Sequence, residues 1–321
     1  MPERACYYGP SYFGPCLVPQ YMLMQHLTLK RLGLGDVTVM NLADQSTMDE
    51  LGTGYGVRLA TGLYAVDRLF KWKVETEPYE VTPGEVDRVH RQNLQDLQDA
   101  LAGGGFMAAL RQAVERFSAV ELSDDVGTRP RVGIIGDVYT RVNEHANSQL
   151  YRRLQDMGFE VWTSSSLIDV SFLGMEQLHA EKARRGQALA SRATRLLNPL
   201  IRTVRGRIDR LFPRTIRTPQ ERQFDEVHAA ASRHASHWID KALSLSISRV
   251  DELRDAGVDG VLNVMCHSCM IGTVAGALFP SMREEIGSLP LCNLIYEGLQ
   301  STQNENRLEA FAEQVWARRR G

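Results

Sequence analysis

The stretch "TRPRVGIIGDVYTRVN", residues 128–143, decides how this chain is read. Thr128-Arg129-Pro130-Arg131 is a polar, linker-like bridge, and Val132 to Val138 is a largely apolar run of the kind a parallel strand buried on both faces requires. A second domain therefore starts near residue 129. Downstream, the pattern predicts a helix over about 147–157, a strand over 159–164 ("FEVWTS"), and helical blocks over about 174–212 and 220–255. A strand over 260–264 ("GVLNV"), a helix from Gly272, a strand over 289–298 ("LPLCNLIYEG") and a last amphipathic helix from about Asn304 follow. Strand and helix alternate, so the expectation is an α/β fold, Rossmann-like or flavodoxin-like, with a parallel sheet flanked by helices.

Upstream, the reading is less regular. A helix is expected from about Val18 to Leu32, a strand at 37–43 ("VTVMNLA"), a helix from about Val57 to Val74 after the glycine-rich "LGTGYG", and another after the Pro83-Gly84 start signal. This gives a small, mostly helical and incomplete first domain, 1–128, ahead of a Rossmann-like domain, 129–321.

Composition narrows the function classes. The chain has 321 residues, is 43% hydrophobic and carries a formal net charge of −2, which suits two ordinary cores and gives no electrostatic reason to expect nucleic acid. No apolar run approaches the roughly 20 residues of a membrane span. The start, "MPERACYYGPSYFGPC", lacks the basic-then-apolar layout of a signal peptide, so the expected location is cytoplasmic and the five cysteines are expected to be reduced. That turns attention from disulfides to metal or redox chemistry. There is no G-x-x-x-x-G-K-[ST] phosphate loop, "GIIGDVY" is not a dinucleotide fingerprint, and no Gly-x-Ser-x-Gly elbow occurs. The arginine-rich block from Lys182 to Arg217 has apolar residues at helical spacing and reads as a solvated or partner-facing helix surface.

The chemistry lies in "NVMCHSCMIGT", residues 263–273. Cys266 and Cys269 flank His-Ser where a strand gives way to a helix, and ligands of such folds gather at the carboxyl ends of strands. Free amides and the dipole at a helix start favour thiolate, which both a nucleophile and a metal ligand must be. Cys16, in the Gly-Pro-Cys turn of "FGPCLVPQY", also opens a helix; Cys6 lies ten residues earlier. Such cysteines suit an iron–sulfur cluster or zinc, and C-x-x-C also suits a thioredoxin-like dithiol. Cys292, inside "PLCNLI", reads as a small buried hydrophobe, and His267 as a turn residue. Asn143, Asn147 and Glu297 fall near strand ends, as cleft-lining or as capping residues.

Taken in order, "GPC" with "QY" (14–21), "EPYEVTPGEVDRVH" (77–90), "RPRVGIIGDVYTRVNEHANSQLYRRLQDMGFEVW" (129–162), "GVDGVLNVMCHSCMIGTVAGAL" (257–278) and "LPLCNLIYEGLQSTQNENRLEAFAEQ" (289–314) resemble the 2-hydroxyacyl-CoA dehydratase component family. The likeness is to the C-terminal part of that family's activase-associated relatives and spans nearly the whole chain. It implies Rossmann-like domains around an iron–sulfur cluster, of the 4Fe-4S kind or larger. It also implies an ATP-dependent activase that delivers a low-potential electron, and an acyl-CoA thioester as a possible substrate, dehydrated through a ketyl radical.

Carried over residue by residue, the resemblance makes Cys16 and Cys269 ligands, with Cys266 next. The pattern departs at Phe13, at Cys266-His267 and at Glu297-Gly298-Leu299, which leaves Cys266, Cys6 or a partner as source of the third ligand. A complementary subunit is expected to supply the family's N-terminal domain. The function expected is thus an iron–sulfur subunit of a lyase or reductase system working in anaerobic conditions; the alternatives are a non-catalytic assembly module and a Cys-x-x-Cys dithiol oxidoreductase.

Overall fold

Ile134 and Ile135, consecutive in sequence and so pointing to opposite faces, are both fully buried, as is Val132, because helices cover both faces of the strand that carries them. A computed structural model describes residues 6–9, 16–40, 53–164, 169, 186, 197–212, 216–218, 224–235, 240–297 and 302–320. In chain order the elements are β1 Cys6–Tyr8, α1 Val18–Arg31, β2 Thr38–Met40, α2 Thr53–Thr76, α3 Glu85–Gly103, α4 Phe106–Ser118, β3 Arg131–Gly136, α5 Val138–Val142, α6 Leu150–Asp156 and β4 Glu160–Thr163. Then come α7 Leu197–Asp209, α8 Phe224–Ala231, α9 Lys241–Asp255, β5 Gly260–Cys266, α10 Met270–Glu285, β6 Leu291–Tyr296 and α11 Thr302–Arg320.

The chain divides into two compact units, 1–61 with 170–205, and 62–169 with 206–321. These units are discontinuous, whereas the sequence reading drew a boundary at 128/129; residues 62–128 pack with the sheet of the second unit. Tyr79 shows why, its hydroxyl donating to buried Glu160 on β4 at 2.7 Å.

In the first unit β1 and β2 pair in parallel, Cys6 opposite Thr38 and Tyr8 opposite Met40, with α1 as the connection between them. Pro19 near the start of α1 and Lys30-Arg31 in its last turn follow the usual polarity of helix ends. Tyr21, Leu23, Met24 and Leu27 are exposed on it, and so is its N-cap Leu17.

The second unit holds a parallel sheet of order β4-β3-β5-β6. Counted from β3, that is the flavodoxin-like order 2-1-3-4, and the α/β expectation is met. Alternation along each strand sorts side chains to two cores. Val132 and Ile134 of β3, Leu262 and Val264 of β5 and Leu294 of β6 pack with Leu150 and Leu154 of α6 and Phe311 and Val315 of α11. Ile135, Trp162, Val261 and Leu291 pack on the other face with Ile247 and Val250 of α9 and Phe279 and Met282 of α10.

Several boundaries moved for identifiable reasons. The strand expected to reach Val138 ends at Gly136, because Gly136 takes φ 109° and Asp137 then caps a short helix, accepting from the Thr140 amide at 2.7 Å. The single helix expected over 220–255 appears as α8 and α9, the latter opened by Asp240, which accepts from the Ala242 amide at 2.8 Å. Of the helical block expected over 174–212, residues 174–185 and 187–196 lie outside the described residues, as do 41–43 of the first-domain strand.

Candidate functional site

The order of winding reverses between β3 and β5, and there the connections leave on opposite faces of the parallel sheet, the position at which sheets of this kind take ligands into a crevice at the strands' carboxyl ends. Gly136 closes β3 at this point. A Cβ on it would lie 2.1 Å from the Val264 carbonyl oxygen and 2.5 Å from Asn263 Oδ1, so only glycine lets the two strand ends approach. The Asp137 amide then donates to the same Val264 carbonyl at 2.8 Å.

On the β5 side the chain turns through Cys266-His267-Ser268-Cys269. The Cys269 amide donates back to the Cys266 carbonyl at 3.1 Å, which makes these four residues a β-turn, and Ser268 takes the left-handed conformation (φ 60°) that such a turn usually gives to glycine. A serine there is strained by about 1–2 kcal/mol, and strain of this kind collects at functional positions. Cys269 is the N-cap of α10, its Sγ accepting the Gly272 amide at 3.3 Å. The helix expected from Gly272 thus starts two residues earlier, at Met270, with a cysteine as its cap.

The two thiols are hydrogen-bonded to each other. That bond, with smaller help from the Gly272 and Ile271 amides, brings the Cys269 thiol down to about 7 against the opposing effects of burial and of the Asp137 carboxylate. Both cysteines are half-buried, and His267, Ser268 and Met270 around them are exposed. The His267 amide donates to the Tyr296 carbonyl at 2.9 Å and its Nδ1 sits 3.3 Å from Glu297 Oε2, so the rim of the turn is tied to the end of β6.

Other residues singled out from the sequence take structural places. Asn143 caps, accepting from the Ala146 amide at 2.9 Å. Asn147 is fully buried, donating to the Thr140 carbonyl at 2.9 Å and accepting from the Leu150 amide at 3.1 Å; it holds the α5–α6 corner and does not line the crevice. Glu297 is exposed beside His267. Cys292 packs against the sheet core, where burial pushes its thiol up to about 11. Cys6 is exposed on β1 and Cys16 is half-buried two residues ahead of α1; both belong to the first unit, Cys266 and Cys269 to the second.

Two positioning residues escaped the sequence reading. Asn263 on β5 and Asn293 on β6 are polar side chains inside otherwise apolar strands, and Asn263 Nδ2 donates to Asn293 Oδ1 at 2.8 Å and to the Gly272 carbonyl at 3.3 Å. A Cβ at Gly272 would lie 2.4 Å from Met265 Sδ, and one at Gly276 2.3 Å from Asn293 Nδ2. The first turns of α10 therefore lie directly on the strands. The signal was present as asparagine within "VLNVM" and "LCNLI" and as glycines four apart in "IGTVAG".

No protein-family model and no curated protein matches this chain. Among the described residues, no group of three or more His, Cys, Asp and Glu side chains is gathered for a metal ion, and no helix is long and apolar enough to cross a membrane.

Proposed function

We propose that this chain is an iron–sulfur subunit of a 2-hydroxyacyl-CoA dehydratase-like system, receiving a low-potential electron from an ATP-dependent activase. The observation that carries the reading is the hydrogen-bonded Cys266–Cys269 pair at the switch point of a parallel sheet, with the Cys269 thiol titrating near neutrality. Clusters are held by thiolates. A thiol whose ionised form is already favoured loses its proton to a metal at little cost, and the amides of Ile271 and Gly272 offset the negative charge that remains. The two cysteines thus fit as two ligands of a cluster. Cys16 is a further ligand in this reading, on the strength of its Gly-Pro-Cys turn.

Bound there, a cluster of the 4Fe-4S kind would store one electron at low potential. The chain's own part is to fix the thiolates. Cys269 is held by the start of α10, and Cys266 by the last residue pair of β5 with β6, where it lies opposite Tyr296. The row of exposed apolar side chains on α1 supports a protein partner, here a complementary subunit, since adjoining exposed apolar residues mark interaction surfaces. The cytoplasm and an acyl-CoA substrate belong to the same proposal.

The test is iron and acid-labile sulfide per chain in protein purified without oxygen and coexpressed with its partner, with visible spectra before and after dithionite. Stoichiometric iron with a bleachable band is the expected result, and Cys269→Ala should lose most of it. Wild-type iron content in folded Cys269→Ala, or none in the wild type, would refute the assignment.

A further inference from the structure

We infer that Cys266 and Cys269 form a two-electron dithiol–disulfide couple that gates the site: bridged, the pair cannot ligate, and reduced, it can. The inference rests on the reading of this pair as ligands, although bridge formation and iron binding are measured separately. Three features of the turn carry it.

The first is reach. The bond from the Cys269 amide to the Cys266 carbonyl closes a β-turn, which holds the two Cα atoms within about 7 Å of each other. Disulfides span Cα separations of about 4.4–6.8 Å, so the turn brings the pair into the range a bridge requires. The second is proximity. The Cys266 side chain hydrogen-bonds to Cys269, so the two thiols are neighbours across the turn. The third is access. Cys266 and Cys269 are half-buried, and the residues between and after them, His267, Ser268 and Met270, are exposed, so a small disulfide in solution can approach. Cys292 is half-buried too but sits in no such turn and beside no second cysteine: its sulfur lies 3.7 Å from the Asn293 carbonyl oxygen and 3.9 Å from that of Arg307.

With glutathione disulfide as oxidant the chemistry balances. One cysteine sulfur attacks a glutathione sulfur, the glutathione S–S bond breaks, and one glutathione thiol leaves with the proton the cysteine gave up. The second cysteine then attacks the first cysteine's sulfur in the mixed disulfide and expels the second glutathione as thiol. Two protein thiols and one glutathione disulfide become one protein disulfide and two glutathione thiols, with two electrons passing to glutathione.

The experiment uses the full chain, freed of metal by chelation under reducing, anaerobic conditions and equilibrated in glutathione buffers. Free thiols are trapped by alkylation and the 263–273 region is read by mass spectrometry. The expected result is an internal Cys266–Cys269 bridge, rising from a tenth to nine-tenths of the protein over a roughly hundredfold change in the ratio of squared thiol to disulfide concentration. Cys292→Ser should leave that transition unchanged. Cys266→Ser and Cys269→Ser should each abolish it and leave the remaining cysteine carrying glutathione, with circular dichroism confirming the fold.

Wild-type protein that ends in glutathione adducts at these positions, keeps both thiols free to alkylate, or bridges either one to Cys6, Cys16 or Cys292 overturns the inference. Reduced protein that takes up iron but never bridges sinks this inference alone. Protein that bridges but takes up no iron when reduced sinks the cluster reading and leaves the couple standing.

Discussion

Replacing Cys266 with Ala should raise the titration midpoint of Cys269. In the native turn the largest influence holding the Cys269 thiol near 7 is its hydrogen bond with Cys266; burial acts in the opposite sense and survives the substitution. What remains to favour the thiolate is the pair of amides at Ile271 and Gly272. A thiol with its midpoint at 7 is about half thiolate at neutral pH, and one with its midpoint at 9 is only about 1% thiolate. The expected rise is at least about one unit toward the ordinary value of 9.0.

The assay is site-resolved alkylation of metal-free protein between pH 5.5 and 9.5, quantified on the peptide that carries Cys269. The midpoint is the quantity to read, because a thiolate of higher pKa is also a better nucleophile, with a Brønsted slope of about 0.4–0.5, so rates at a single pH partly cancel. Cys266→Ser keeps a hydroxyl donor at the same place and should leave the midpoint closer to the wild type. A Cys266→Ala midpoint within a few tenths of wild type, in protein with native circular dichroism, refutes the account of the thiol pair. The same linkage has a sign in stability. Since the folded value lies below the unfolded one, the ionised Cys269 stabilises the native state fully above about pH 9, and that contribution is lost as pH falls through about 7.

Two further predictions test the scaffold. His90, buried between Phe70 and Phe117, is held down to about 4 by burial first and by the Lys73 charge second, so it is neutral in the fold at pH 7. As pH falls below about 6.5 the unfolded chain binds a proton that the native state refuses, and by pH 4 stability should drop by up to about 3 kcal/mol; urea unfolding of His90→Leu should show a flatter acid limb than the wild type. At the switch point, Gly136→Ala should cost about 3 kcal/mol or more, since its Cβ would meet backbone at 2.1 Å in a left-handed conformation. Gly133→Ala, whose Cβ would meet only the flexible end of Leu253 at 2.6 Å, should cost less, and equal shifts in Tm for the two would contradict the geometry.

The sheet was legible because a parallel strand buried on both faces leaves a short, β-branched apolar run bounded by turn residues. "VGII", "EVWT" and "VLNVM" appear as β3, β4 and β5 within two residues of where the pattern puts them. The helix α4 (Phe106–Ser118) is absent from the sequence expectation, which carries no element between the helix after Pro83-Gly84 and residue 128; three consecutive glycines at 103–105 end α3 and open α4. Ion pairing across long separations left no local trace at all. Arg217 belongs to the block expected as a solvated or partner-facing helix surface, yet its Nη2 lies 2.9 Å from Glu160 Oε2, and its amide donates to Glu75 Oε1 at 2.8 Å, so an arginine beyond α7 is tied to the sheet and to α2. A charge run reports its own sign; its partners are decided by the fold.

The placing of the thiol pair depends on residues that carry no chemistry of their own. Were α10 to stand off from β5 by the width of a methyl group, its first amides would move away from the Cys269 sulfur with it. The contact is close only because Gly272 and Gly276 offer no Cβ to Met265 and Asn293. The side chain of Asn263 fixes the remaining freedom, binding the Gly272 carbonyl on the helix and Asn293 on the next strand. An apolar residue of the same size at 263 would fill the space, but it would leave helix and strands free to slide on a purely apolar contact. The asparagine pair sacrifices some burial free energy and, through directional hydrogen bonds, sets the helix start to one position. At that position the Gly272 amide meets the sulfur of Cys269, whose own amide closes the turn on Cys266. Geometry that specific is needed for a pair of thiols held ready to ligate or to bridge.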